Sequence, residues 1–235
     1  MVIRRLFHIN ELEAANRFEA EIWGASDPTP VSLLVVFAHH GGIVLGALEN
    51  ERLVGLSLGF PGLDRHGTVY LHSHVLGVLP EFRRHRVGEA LKRAQWEYAA
   101  ERGLAYIGWT YDPLMEGNAW FNLGVLGAYV EELQPNVYGT LNDALNGDFP
   151  THRFWIRWNP DQPLPPRVAE RTMAIPRDVL TFRRDHPQQA RQQANDWFDE
   201  ALRWWNAGWR IVGVQRNETG VWYGWAKMGQ EDGDI

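Results

Sequence analysis

The 235-residue chain contains no cysteine, which excludes disulfides, thiolate zinc sites and a cysteine nucleophile. No apolar run approaches the ~20 residues of a membrane-crossing helix. The opening stretch MVIRRLFHINELEAANRFEAE lacks the apolar core of a secretory signal. A soluble, cytoplasmic protein with no membrane association is therefore expected. There is no basic surplus either, and the formal charge of −6 argues against general nucleic-acid binding. A lysine-bearing P-loop motif is missing, which weighs against nucleotide phosphate binding of that type. The chain is rich in tryptophan, with twelve residues, eight of them at or beyond Trp155. They point to aromatic packing, an interface or a flat ligand, and composition does not choose among these.

Periodicity and turn residues predict the order β-α-α-β-β-β-α-β-α-β-β up to Trp158. A strand over 2–7 leads to a helix capped by Asn10, and a second, apolar helix covers 31–38. Strands over 43–48 and 53–60 form a hairpin around residues 49–51, and a longer strand spans 68–78. Val87, Ala90, Leu91, Ala94 and Tyr98 mark one face of the next helix, which Gly103 ends. A strand over 104–111, a helix over 115–126 and strands over 128–133 and 153–158 follow. Residues 159–166, with four prolines in eight positions, read as a linker. Beyond it a strand over 171–175, a helix opened by His186-Pro187 and a hairpin over 209–226 make a small α+β extension. The expected organisation is a main α/β domain over 1–158, the linker over 159–166 and the extension over 167–235.

Chemistry concentrates in VLPEFRRHRVGEAL, residues 78–91. A strand handing over to a helix through a short turn aims the free N–H groups of that helix outward, where its dipole also favours an anion. Arg83, Arg84, His85 and Arg86 add positive charge at the same place. The turn therefore suits a phosphate or pyrophosphate. A solvated basic turn that offsets nearby acids is the plainer alternative.

V-x-P-x-F-R-x-x-x-V-G-x-x-L on a strand-turn-helix resembles the acetyl-CoA-binding motif of the GNAT (Gcn5-related) N-acetyltransferases. Two helices after the first strand, then a hairpin, match that family's order. The resemblance covers residues 1–158, and the whole chain resembles a bacterial group of predicted GNAT proteins with a similar C-terminal region. It implies an α/β GNAT acyl-CoA N-acyltransferase fold, a mixed central sheet flanked by helices. It also implies acetyl-CoA, or another short acyl-CoA, as co-substrate and an amine, a small molecule, as acceptor, with no metal. By position, Arg83 leads the pyrophosphate loop, and N–H groups from Arg84, His85, Arg86, Val87, Gly88 and Glu89 hold the phosphates. Gly88 takes a position where the family has Gly or Ala. Arg86 departs from the usual Gly; the expectation is that its backbone needs no positive φ and that its side chain is a phosphate-binding cation. The pantetheine arm would lie along Leu76, Gly77 and Val78, with Gly77 as the bulge that splays the strand, and an N–H there could receive the oxyanion. NAWFNLGVLGA, residues 118–128, resembles the second CoA-contacting segment and makes Asn118 a contact. Leu123 stands where many members carry a proton-donating Tyr; Tyr111, Tyr129 or Tyr138 could substitute, or the thiolate leaves unaided.

In LHSHVLGV, strand alternation puts His72 and His74 on one face with Tyr70 and Leu76. An amine must be neutral to attack a thioester, and histidine can take its proton directly or through water. The pair is similar to the His-x-His of the serotonin-type arylalkylamine N-acetyltransferases. Two hydrogen-bonded strand histidines without a role are the alternative, and a zinc site lacks an obvious third ligand. His39-His40 read as a helix C-terminus, and Glu11/Glu13 and Glu19/Glu21 as solvated helix faces. Glu131-Glu132 gives one outward carboxylate without a role. The aromatics past residue 166 are expected to pack against the first domain or a partner subunit in a homodimer, with a substrate lid as the sharper alternative. An acyltransferase reading follows; a CoA-binding protein of the same fold without efficient catalysis, favoured by Arg86 and Leu123, is its rival.

Overall fold

A computed structural model describes residues 1–24, 28–139 and 149–228. They divide into two compact units, Met1–Trp109 and Thr110 onwards. The division falls inside a strand and not at residues 159–166, which form neither helix nor strand.

The first unit runs β1 (Val2–Arg5), α1 (Ile9–Trp23), α2 (Val31–His39), β2 (Ile43–Glu49), β3 (Arg52–Leu63), β4 (Val69–Val78), α3 (Val87–Glu101) and the start of β5 (Ile107–Tyr111). Its strands lie in the order β1-β2-β3-β4-β5. The first four pair antiparallel, and β4 with β5 is parallel, so the sheet is mixed. Ile43 to Ala47 and Val54 to Leu58 are buried without alternation, as expected of central strands covered on both faces. Asn50 and Glu51, at φ 49° and 64°, make the two-residue turn that matches the twist of the β2–β3 hairpin.

Three local details differ from expectation. His8, not Asn10, precedes α1. Glu11 reaches back to accept the N–H groups of Phe7 and His8 at 2.9 and 3.0 Å, so this carboxylate is a cap and not a solvated face. Strand β5 starts at Ile107 because Gly103, at φ 67°, and Leu104 still belong to the end of α3. The N–H of Leu104 donates to Ala99 O at 3.0 Å and that of Gly103 to Ala100 O at 3.0 Å, which closes the last turn.

The second unit continues from the end of β5 through α4 (Glu116–Ala119), β6 (Tyr129–Gln134), β7 (Arg153–Trp158), β8 (Arg171–Ala174), α5 (Val179–Asp185), α6 (Pro187–Asn206), β9 (Trp209–Asn217) and β10 (Gly220–Lys227). Strand β7 lies between β5 and β6, and the C-terminal strands order as β8-β10-β9. Helix α6 buries Ala190, Ala194, Phe198 and Ala201 along one stripe. Phe154 of β7 touches Trp197, Phe198 and Tyr223 with ring centroids 5.3–6.3 Å apart. The C-terminal aromatics thus share a core with residues 110–158. Helix α5 is too short for its periodicity to be read in sequence. It exists to bury Val179 and to bring Arg183 onto Asp112 at 2.7 Å, with both side chains largely buried.

Burial pushes the Glu11 carboxyl up, but hydrogen bonds from His8 and Phe7 and from the Arg4 guanidinium outweigh it and hold the pKa at about 2, against 4.5. The folded value is depressed, so the stabilisation is complete above pH ~4.5 and is lost as pH falls toward 2. Glu11→Gln should cost about 1–2 kcal/mol at pH 7. In urea unfolding followed against pH, the difference from wild type should shrink below pH ~4.5. A constant difference across that range would contradict the capping role.

Candidate active site

Strand β4 carries two irregularities one residue apart. Its parallel ladder to β5 has the rungs Leu71↔Ile107 and His72↔Gly108, whereas β4 itself runs on to Val78. On its other edge, Ser73 pairs with Gly59 and Val75 with Leu58, so His74 is an extra residue, a bulge. The two strands therefore part just after His72, leaving the 73–78 stretch of β4 beyond the last rung. Leu76, Gly77 and Val78, the expected pantetheine edge, all lie in this stretch. Gly77 is not the bulge; it pairs regularly with Leu56. A Cβ there would lie 2.6 Å from Trp23 Cη2, so the missing side chain makes room for the last residue of α1.

After β4 the chain turns through Pro80–Phe82 into α3. The first bond inside α3 is from Ala90 N–H to Arg86 O, at 3.0 Å, so the N–H groups of Val87, Gly88 and Glu89 have no acceptor within the helix. Arg83, Arg84, His85 and Arg86 are exposed, while Val87 and Glu89 are buried. Arg84 and Arg86 sit at φ 65° and 60°, left-handed backbone that costs roughly 1–2 kcal/mol for each non-glycine residue. The expectation for Arg86 is overturned at the backbone. Its backbone does take positive φ, as the usual Gly would. Its guanidinium grips Glu89 in two bonds of 2.8 and 2.9 Å while its side chain stays largely exposed. Arg93 adds a second cation to the same carboxylate at 3.3 Å. Arg83, Arg84 and Arg86 thus present exposed guanidinium groups at the turn, with Arg83 Nε also bonding Val78 O at 3.2 Å.

His72 and His74 lie on one face, ring centroids 6.2 Å apart, against Phe60 at 5.0 and 6.1 Å. Burial, then the charges of His74 and Lys92, lower His72 to about 4. Burial lowers His74 too, opposed by the Glu19 carboxylate. Both shifts favour the neutral ring, the form that can accept a proton. Glu19 was expected on a solvated face. Instead it is half-buried, and its Oε1 accepts the N–H and hydroxyl of Thr29 at 3.2 and 2.9 Å.

Under the same strand sits a group that pattern reading missed. Lys92 of α3 is 1% exposed, donates to Ser73 Oγ at 2.7 Å and lies 3.4 Å from the centroid of the Trp109 indole. Ser73 Oγ in turn donates to Gln95 Oε1 at 3.0 Å. Burial drives the Lys92 ammonium well below its usual range, because a desolvated charge without a carboxylate beside it is costly. The α3 face is thus centred on Leu91, Lys92 and Gln95, while Ala90 and Ala94 lie at its margin.

All the candidate residues but Asn118 belong to the first unit. Asn118, in the second, is exposed on α4, its N–H bonded to Met115 O at 2.9 Å. Residues Trp120–Val125 then form a π-turn with Leu123 buried on it. Tyr111 is buried and its hydroxyl meets Tyr223 Oη at 3.1 Å, while Tyr223 donates to Pro113 O at 2.8 Å. Burial drives the pKa of both phenols up, which ill suits Tyr111 to proton donation. Burial likewise raises Tyr129, and Tyr138 Oη lies 3.0 Å from Thr110 Oγ1. Among the described residues no group of three His, Asp or Glu side chains could hold a metal ion, and no helix is long and apolar enough to cross a membrane.

Several solved structures share this fold. Naa20 of Chaetomium thermophilum, in complex with a bisubstrate analogue, superposes with a TM-score of 0.55 at 13% identity, over 67% of this chain and 86% of that one. An aminoglycoside 6'-N-acetyltransferase complexed with coenzyme A gives 0.52 at 16%, over 70% and 99%. GphF, a GNAT-like decarboxylase in complex with isobutyryl-CoA, gives 0.52 at 17%, over 68% and 100%. No curated protein sequence matches the chain. At such identities the likeness establishes the GNAT fold and nothing finer. Residues 8–119 match the sequence model described as the acetyltransferase (GNAT) family, and this segment, which holds the parted strands, the histidine pair and the basic turn, belongs to that family.

Proposed function

We propose that the protein transfers an acetyl or other short acyl group from acyl-CoA to a small-molecule amine. The observation that carries this reading is the parting of β4 from β5 directly before a basic turn and three helix N–H groups that lack a helical acceptor. An extended pantetheine arm can add to the 74–78 edge as a strand would, which puts its pyrophosphate at Val87, Gly88 and Glu89 beside Arg83, Arg84 and His85. The thioester end then lies toward the His74 bulge. A main-chain N–H there is the donor for the oxyanion that forms when the amine nitrogen attacks the carbonyl carbon. Collapse of that intermediate breaks the C–S bond and releases thiolate, which takes one proton as the amide nitrogen gives one up. A thiol of pKa ~8.5 is acidic enough to leave without a tyrosine donor.

His72 and His74 serve as base or proton wire. A ring held near pKa 4 is a weak base for an ammonium ion in water. The same burial depresses the ammonium pKa as well, so the gap narrows on binding, and two rings in sequence lead the proton outward. A CoA-binding role without turnover is the second reading, favoured by buried Leu123 at the usual Tyr position. Thioester loss that some amine stimulates decides for the enzyme; tight CoA binding with no amine-stimulated loss decides for the rival.

Acetyl-CoA at ~100 times its dissociation constant should stabilise the fold by about 2.7 kcal/mol in thermal unfolding, with CoA acting similarly. An equal shift with ATP, or none with either CoA compound, would sink the assignment.

His72→Gln or His74→Gln should lower turnover roughly 10²–10⁴-fold while leaving acetyl-CoA binding intact. Because burial moves His72 down from 6.5 to about 4, its limb in kcat/KM should fall near pH 4, and between pH 6 and 8 only the acceptor's own deprotonation should show. Full activity in the double variant would remove both rings from the mechanism.

A further inference from the structure

The chain has only two lysines, Lys92 and Lys227, among its 23 basic residues. One of the two is at the least hospitable position for a cation. An arginine cannot shed its proton in a protein, whereas a lysine can, and burial favours that loss at Lys92. A methionine or leucine would fill the same space without desolvating an amine. The amine therefore has to be explained by what it holds.

It holds the parting of the strands. Ser73 and Trp109 are the residues immediately beyond the last rung, His72↔Gly108, one on each strand. Lys92 contacts both, donating to Ser73 Oγ at 2.7 Å and lying 3.4 Å from the Trp109 ring centroid. Ser73 is also the last regular partner of β3 before the His74 bulge. Both of its ladders are thus interrupted there, and side-chain bonds to Lys92 and Gln95 tie this part of β4 to α3. We infer that Lys92 is a positioning residue: through Ser73 and Trp109 it fixes where β4 leaves β5, and so the geometry of the 74–78 edge. Its consequence for acyl-CoA binding rests on the function proposed above, whereas its consequence for the strand does not.

A clamp of this kind sets stability against function. Lys92→Met in the full chain removes the buried amine but keeps the volume, so Tm should stay level or rise. In the same variant the amides of residues 74–78 should exchange hydrogen at least 10-fold faster in the absence of ligand, with β1–β3 unchanged. Acetyl-CoA should bind at least 10-fold more weakly. Ser73→Ala, which removes the acceptor, should act in the same direction, and the double variant should bind no more weakly than the poorer single one. If Lys92→Met fails to fold, the exchange signature in Ser73→Ala decides. Unchanged exchange at 74–78 overturns the inference, as does acceleration spread evenly through the sheet with a lowered Tm, the mark of an ordinary core residue. Wild-type protein that fails to bind acetyl-CoA would sink the acyl-CoA reading, and the exchange measurement would still decide the clamp.

Discussion

Parallel pairing between β4 and β5 stops after His72↔Gly108, and most of what is distinctive in the first unit is arranged around that stop. A strand edge past its last rung carries main-chain groups that need a partner or solvent. Here the edge is backed by α3, which contributes buried Lys92 and Gln95 from one side and begins with acceptor-less N–H groups at the end of the same stretch. The bulge at His74 falls within it, and the histidine pair lies against Phe60. The parted edge, the bulge and the anion-favouring helix start thus lie along one stretch of chain.

The region is costly as a piece of folded chain. Two arginines adopt left-handed backbone, an amine is buried without a carboxylate, and two histidines are pushed toward their neutral forms by burial. Strain and unfavourable burial concentrated in one place are typical of sites kept for function. The second unit is built differently, from mutually packed aromatic rings and a buried Arg183–Asp112 pair.

Much of this was legible in the sequence, for identifiable reasons. Residues 78–91 show the strand-turn-helix directly, because apolar alternation, Pro80 and a helical period follow one another without a gap. The shared face of His72 and His74 follows from strand alternation. Arg86 was misread because a side chain was judged without the backbone that a tight turn demands; its tolerance for positive φ is supported by Glu89, three residues on. Lys92 and Gln95 resemble the solvated side of a helix, and only β4 and β5, distant in sequence, make that side an interior. Glu19 was hidden in the same way, its partner Thr29 lying beyond the end of α1. The sharing of a core between residues 110–158 and the C-terminal aromatics was equally out of reach, since no local pattern says which strand an amphipathic helix will cover.

The central claim is that the parted edge of β4 and the start of α3 hold an acyl-CoA as one continuous site. A crystal structure of the full chain grown with acetyl-CoA tests it most directly. The account predicts pantetheine hydrogen-bonded to the main chain between residues 74 and 78 and the pyrophosphate on the N–H groups of Val87, Gly88 and Glu89. Coenzyme A bound elsewhere, or β4 and β5 paired beyond Ser73 with the ligand excluded, would contradict it.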